Sequence, residues 1–274
     1  MKFLKKIFTI ILVAIISVTS FGCEGFSLNL FSNATDYTTL INTVSLETMK
    51  SVITVYTEVT TLQGTTKYLG SGVIVKIEEN TFNGNTGVYD CYALTNNHVV
   101  YTGSSMMMSV NYYVTDYQGN RYDLTYKKND YDDIIKTSAS DDLALIHFTA
   151  SKQENNELKA LPLAEKNSNI GGRVIAIGNP HGQKNTVTLG AITRYDTITM
   201  GEENDENSSN VTYEVIHHTC PIDSGSSGGV LINFDYEIVG INFAAGLSEE
   251  TGEFISAYAI PIEKVISFLG NTLK

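Results

Sequence analysis

Three residues in this sequence have the types and settings that acyl transfer requires: His98, Asp142 and Ser227. His98 follows the strand-like run Tyr92-Ala93-Leu94-Thr95, and an imidazole can take and return a proton near neutral pH. Asp142 opens the apolar run Leu143-Ala144-Leu145-Ile146, where a carboxylate could orient that imidazole and stabilise its protonated form. Ser227 lies in Asp223-Ser224-Gly225-Ser226-Ser227-Gly228-Gly229, a small-residue loop ahead of Val230-Leu231-Ile232. A serine hydroxyl is a poor nucleophile until a neighbouring base removes its proton. Taken singly, each has an ordinary explanation: a structural histidine, a turn or cap aspartate, a tight glycine turn. Asp141 competes with Asp142 for the carboxylate position.

Residues so far apart in the chain need a rigid frame. The body is a string of short alternating segments, rich in Val, Ile, Thr and Tyr and punctuated by Gly, Asn and Asp. A first series covers 51–59, 68–77, 88–95, 106–115, 121–126 and 142–149. A second covers 173–177, 186–199, 211–219, 230–233, 238–242 and 256–260. The polar stretch 151–170 separates them as a linker. Apolar residues at Ile262, Val265, Ile266 and Leu269 have helical spacing, so the chain is expected to close with a helix. A short helical pattern over 44–50 precedes the first strand. The pattern is that of an all-β protein of two sandwiches or barrels.

His, Asp and a glycine-flanked Ser, in that order and in this two-part β context, resemble the chymotrypsin-like serine proteases, and within them the HtrA/DegP branch. Gly70-Ser71-Gly72-Val73-Ile74-Val75 before the histidine, Leu94-Thr95-Asn96-Asn97-His98-Val99-Val100 around it, and Ile175-Ala176-Ile177-Gly178-Asn179-Pro180 in the second half carry the resemblance. So do Val187-Thr188-Leu189-Gly190, Val239-Gly240-Ile241-Asn242 and Ala259-Ile260-Pro261-Ile262. The resemblance implies two six-stranded antiparallel barrels, at 51–150 and 171–261, and a C-terminal helix over 262–274. It implies serine endopeptidase activity on unfolded or flexible polypeptides, with no cofactor or metal. It favours Asp142 over Asp141, because the family's aspartate directly precedes an apolar-small-apolar run. Ser227 would attack the scissile carbonyl, His98 would act as base and then acid, and Asp142 would orient His98. Backbone N–H groups of Gly225 and Ser227 would hold the developing oxyanion.

Departures from the family pattern set further expectations. The branch usually has Asn-Pro-Gly-Asn before the serine, where this chain has Asp223-Ser224-Gly225-Ser226, so a stiffening proline is missing. His181 stands where Phe is common and is read as structural. His217 and His218, adjacent on a strand, should face opposite ways and are not read as a metal site. The position six residues before the serine, acidic in trypsin-like enzymes, is Pro221, followed by Ile222. An arginine side chain there would lack a charged partner. Glutamyl-specific relatives place a histidine fifteen residues after the serine, where this chain has Asn242. Ile222, Asn242, Phe243, Ala244 and Ala245 are therefore the candidate substrate-binding residues, with cleavage expected after small or medium aliphatic side chains. The segment from Phe243 to Gly246 should pair with extended substrate as an added strand.

The chain has 274 residues and a formal net charge of −12, and no basic cluster lies in its body, which disfavours nucleic-acid partners. Residues 1–22 have Lys2, Lys5 and Lys6, then an apolar run shorter than the roughly 17–25 residues that span a bilayer, then small residues: an export signal. Cys23 follows Gly22 directly, as in bacterial lipoproteins, although Ser20 replaces the usual aliphatic residue. Lipidation at Cys23 with attachment to the cell-surface membrane is one expectation and plain secretion the other, with 23–50 as tether and N-terminal segment. Cys91 and Cys220 are expected as buried free thiols. Phe26, Phe31 and Tyr37 are candidates for trimer contacts, against a monomer on a flexible tether. The acidic loop 201–210 reads as a solvated tip. HtrA proteases commonly carry PDZ domains after the protease, and regulation through one is not expected here. The alternatives are a secreted protease of narrow specificity and an inactive peptide-binding relative.

Overall fold

A computed structural model describes residues 34–79, 87–100, 108–124, 134–151, 157–198, 211–247, 251, 254–270 and 272–273. The expected export signal, Cys23, Phe26, Phe31, the Tyr37 side chain and the loop 201–210 lie outside the described residues. Contacts distinguish two units, Met1–Leu40 and Ile41–Lys274. In the first, the described residues are the opening of helix α1 (Ala34–Thr48); the second holds every described strand.

Seven strands make the first sheet: β1 (Val52–Thr61), β2 (Gly64–Glu79), β3 (Val88–Thr95), β4 (Ser109–Thr115), β5 (Arg121–Leu124), β6 (Ile134–Ser138) and β7 (Leu143–Ser151). Their order is β5-β4-β1-β2-β3-β7-β6, all antiparallel. The sheet curls so that β5 returns against β7, where the Tyr122 and Phe148 rings lie 5.0 Å apart within a core of Ile53, Val55, Ile74, Val114 and Ile146. Residues 134–138 form a strand outside the expected six. The polar run before them and the adjacent Ile134 and Ile135 hide its alternation.

The second sheet closes into a six-stranded barrel, in the order β10-β13-β12-β11-β8-β9. Its strands are β8 (Arg173–Gly178), β9 (Thr186–Asp196), β10 (Val215–His218), β11 (Val230–Ile232), β12 (Ile238–Leu247) and β13 (Phe254–Pro261). Helix α3 (Ile262–Leu269) follows β13 directly and buries Ile262, Val265, Phe268 and Leu269. Ile266, expected on the apolar stripe, is 40% exposed, and Phe268 takes its place inside. Gly270, with φ 51, ends the helix by donating its N–H to the Ile266 carbonyl at 2.9 Å.

The described part of the linker, 157–170, is tied on both sides. Leu161 N–H donates to Ile74 in the first sheet, and Ala164 N–H to Ile238 in the second. β1 faces both halves: Val55 enters the first core, while Thr54 Oγ1 accepts a hydrogen bond from Asn179 at 2.9 Å. Its opening residues, Val52 to Val55, are accordingly buried without alternation.

Candidate active site

Strand register brings the first two residues together. Thr95 at the end of β3 pairs with Ala144 near the start of β7, so the turns beyond these two residues lie side by side. The short helix α2 (Asn97–Val100) carries His98 beyond β3, and Asp142 sits just before β7. Asp142 Oδ2 lies 2.8 Å from His98 Nδ1, and Oδ1 accepts the His98 backbone N–H at 2.9 Å. A carboxylate only accepts, so Nδ1 carries a proton, and in the neutral ring Nε2 is the nitrogen that bears the lone pair. The Asp142 side chain is 3% exposed and its main-chain carbonyl accepts the Asn96 amide at 2.9 Å. The carboxylate of Asp141 turns away, accepting the Ser138 hydroxyl at 2.6 Å.

Ser227 is carried by the loop ahead of β11. Gly70 touches both loops: a Cβ there would lie 2.7 Å from Val99, the residue after His98, and 3.1 Å from the Ser227 carbonyl. The Ser227 hydroxyl donates to the Phe243 carbonyl at 3.2 Å. Gly225 and Gly228 have φ 93 and φ 81, which side chains rarely adopt, and a Cβ at Gly228 would lie 2.1 Å from the Ser71 carbonyl. The Ser224 carbonyl accepts the His181 N–H at 2.9 Å. In a trans peptide the C=O and N–H point oppositely, so the Gly225 N–H faces away from His181.

Ser71, within the quoted Gly70-Ser71-Gly72 motif but given no role from sequence, fastens this loop. Its N–H donates to the Ser227 carbonyl and its hydroxyl to the Gly225 carbonyl, both at 2.7 Å. The Ser71 Oγ accepts the Asn179 N–H at 2.8 Å. No spacing rule marks Ser71, because its partners are main-chain atoms far along the chain. His181 is a second clasp, with Nε2 2.9 Å from Asp223 Oδ2. That contact and the Ser224 N–H hold the Asp223 carboxyl below its ordinary range.

Beyond Asn242, β12 pairs only with β13 among the described residues, leaving one main-chain edge of the segment from Phe243 to Leu247 open. Ala244 and Ala245 are half-buried on it, while Phe243 is buried. The Asn242 amide is turned into the barrel, accepting from His218 at 3.1 Å and donating to Val230 at 3.2 Å. A cavity of about 510 Å³ lies behind the serine loop, lined by Thr188, Pro221, Ile222, Ser226, Leu247 and Phe254 among others. Of the candidate substrate-binding residues, Ile222 borders this cavity.

His217 and His218 are both buried, with a register shift between them. His217 meets the Tyr258 ring edge-on at 4.8 Å, and burial lowers the His218 pKa to about 4. Among the described residues no group of three His, Cys, Asp or Glu could hold a metal ion. Cys91 and Cys220 are buried and free, and burial pushes both thiols up to about 12, which makes them poor nucleophiles.

Residues 70–241 match the family model of a trypsin-like peptidase domain. The chain is 31% identical over 194 residues to a probable periplasmic serine endoprotease, DegP-like, of Buchnera aphidicola, covering 70% of this chain and 33% of that protein. It is 34% identical over 200 residues to the serine protease Do-like HtrA of Bacillus subtilis, covering 72% of this chain and 37% of the relative. The chain thus spans about a third of the length of the curated relatives it matches. Among solved structures, the active form of the Rv3671c protease from M. tuberculosis superposes with TM-score 0.58 at 18% identity, covering 84% of each chain. The HtrA-type protease AlgW with tripeptide superposes with TM-score 0.59 at 23% identity, covering 84% of this chain and 62% of the other.

Proposed function

From the premise that this chain belongs to the trypsin-like peptidase family, we propose that it is an exported serine endopeptidase that cuts unfolded or flexible polypeptides through an acyl-enzyme. The observation that carries the proposal is the carboxylate–imidazole pair of Asp142 and His98, 2.8 Å apart, with Val99, the residue after His98, and the Ser227 carbonyl both set against Gly70. Ser227 is the nucleophile. As its hydroxyl turns from the Phe243 carbonyl toward His98, Nε2 takes the proton while Oγ bonds to the scissile carbon. Asp142 stabilises the imidazolium that results. The carbonyl oxygen becomes an oxyanion held by the N–H groups of Gly225 and Ser227, a kind of donor worth about 3 kcal/mol each in related chemistry. Collapse breaks the C–N bond as His98 delivers its proton to the leaving amine. Water, deprotonated by the same imidazole, then bonds to the acyl carbon, the bond from that carbon to Ser227 Oγ breaks, and His98 returns the proton to Oγ as the acid leaves.

The open edge of β12 supports substrate entry as an added strand, and apolar Ile222 with uncharged Pro221 supports cleavage after small or medium aliphatic residues. Export through residues 1–22 and anchoring at Cys23 belong to the same proposal. Mass spectrometry of the mature N-terminus tests them, and an unmodified N-terminus other than Cys23 counts against the anchor. The enzymatic core is tested with a fluorophosphonate probe. The full chain should be labelled and the Ser227→Ala variant should not; an unlabelled full chain, or undiminished labelling of the variant, overturns it.

A further inference from the structure

Asp142 is one of the described non-glycine residues in the left-handed backbone region, with φ 51. That conformation costs free energy, although aspartate tolerates it better than most residues, and it persists only where neighbours enforce it. The angle φ describes rotation about the N–Cα bond, so it fixes how the peptide plane joining residues 141 and 142 lies relative to the Asp142 side chain. The Asp141 carbonyl is part of that plane. It accepts a hydrogen bond from the Tyr213 hydroxyl at 2.8 Å. The next plane, which contains the Asp142 carbonyl, is held by the Asn96 amide at 2.9 Å. Both backbone torsions of Asp142 are thereby gripped from outside, and its two carboxylate oxygens are left to His98.

Tyr213 is well placed for this task. It lies in the segment leading into β10, in the second half of the molecule, whereas Asp142 belongs to the first. Its ring is half-buried, and the Lys264 ammonium of α3 sits 4.4 Å from the ring centre. Burial, with the charges of Asp141 and Asp142 nearby, pushes the phenol well above its ordinary range, so the hydroxyl stays a donor. The Asp141 carboxylate does not compete for it, being engaged by Ser138.

We propose that Tyr213 is a positioning residue: its hydroxyl, reaching across from the second half, holds the peptide plane that aims Asp142 at His98. This rests on the roles given above to His98, Asp142 and Ser227. The Tyr213→Phe variant removes one oxygen and keeps the ring. It should lower kcat about 10-fold, leave KM within about twofold, and barely change Tm. Because the effect passes through the carboxylate, the same substitution in an Asp142→Asn background should change kcat less than about twofold. Equal losses in both backgrounds, or an unchanged kcat in Tyr213→Phe alone, overturn the proposal. A readout free of turnover keeps the two ideas apart. The downfield proton NMR signal of the His98 Nδ1–H should shift or broaden in Tyr213→Phe, and an identical signal sinks the positioning role. A parent chain that takes no fluorophosphonate sinks the protease assignment instead.

Discussion

Ser71 brings no reactive atom to the proposed chemistry, yet four hydrogen bonds meet on it, from or to Thr95, Asn179, Gly225 and Ser227. Ser71→Ala would leave the buried Gly225 carbonyl and Asn179 N–H unpaired. Each such loss costs about 1–3 kcal/mol. Urea unfolding should therefore show a loss of about 2 kcal/mol or more, and kcat/KM should fall about 10-fold as the Gly225 peptide loosens. His218 sets a different expectation. Its pKa falls from 6.5 to about 4 by burial, so the native chain keeps it neutral while the unfolded chain takes a proton. Stability from this group is complete above about pH 6.5 and declines as the pH drops toward about 4, by on the order of 3 kcal/mol. His218→Gln should flatten the dependence of Tm on pH across that window; an unchanged slope would show that other groups set it. At this scale the sequence exposed the side chains that could do chemistry, because chemistry restricts residue type. It did not expose Ser71, Asn96 or Tyr213, whose work is done on main-chain carbonyls and leaves no signature of type or spacing.

Pairing register, rather than any single contact, carries His98 and Asp142 to one end of the first sheet. The β3–β7 ladder runs from Val88 opposite Ser151 to Thr95 opposite Ala144, so a slip of one residue would turn every side chain of β7 to the other face. β3 and β7 are visible in sequence as short apolar segments, although the opening of β7, Leu143 to Ile146, is buried throughout rather than alternating. β6 escaped notice because its neighbours in the chain are polar and its length is short, so its pairing with β7 supplies what local pattern does not. β12 was readable only to Asn242, where alternation gives way to Ala244-Ala245-Gly246; the strand runs on to Leu247 because β13 pairs with it. That extension matters for binding. If substrate adds to its open edge, methylating the backbone nitrogens of a substrate-derived peptide at alternate positions should weaken inhibition about 3- to 10-fold per position. Peptides methylated at the intervening nitrogens should bind like the parent, and equal weakening at both sets would argue against strand addition.

Across the whole molecule, the linker and α3 join what the two sheets begin. α3 lies on β12 and β13 and also touches β7, and the Lys136 ammonium of β6 reaches the Phe268 carbonyl near its end. Phe268 is 5% exposed, and its truncation to alanine should cost about 3–5 kcal/mol. Because the helix rests on both sheets, circular dichroism and the fluorescence of tyrosines in the first sheet should report a lowered Tm together for Phe268→Ala. Separate transitions would show that the halves melt independently. The division into two β halves was plain from turn spacing, whereas the closure of one sheet and the open curl of the other depend on long-range pairing that local pattern does not encode. One consequence follows from the lacing of Ser227 to Ser71. The proposed nucleophile and its base belong to opposite halves, joined here through Ser71 and Ser227, so a small shear between the halves would silence the enzyme while leaving the strands intact. Thermal inactivation should then set in several degrees below the loss of ellipticity, and cooling should restore turnover without a refolding lag.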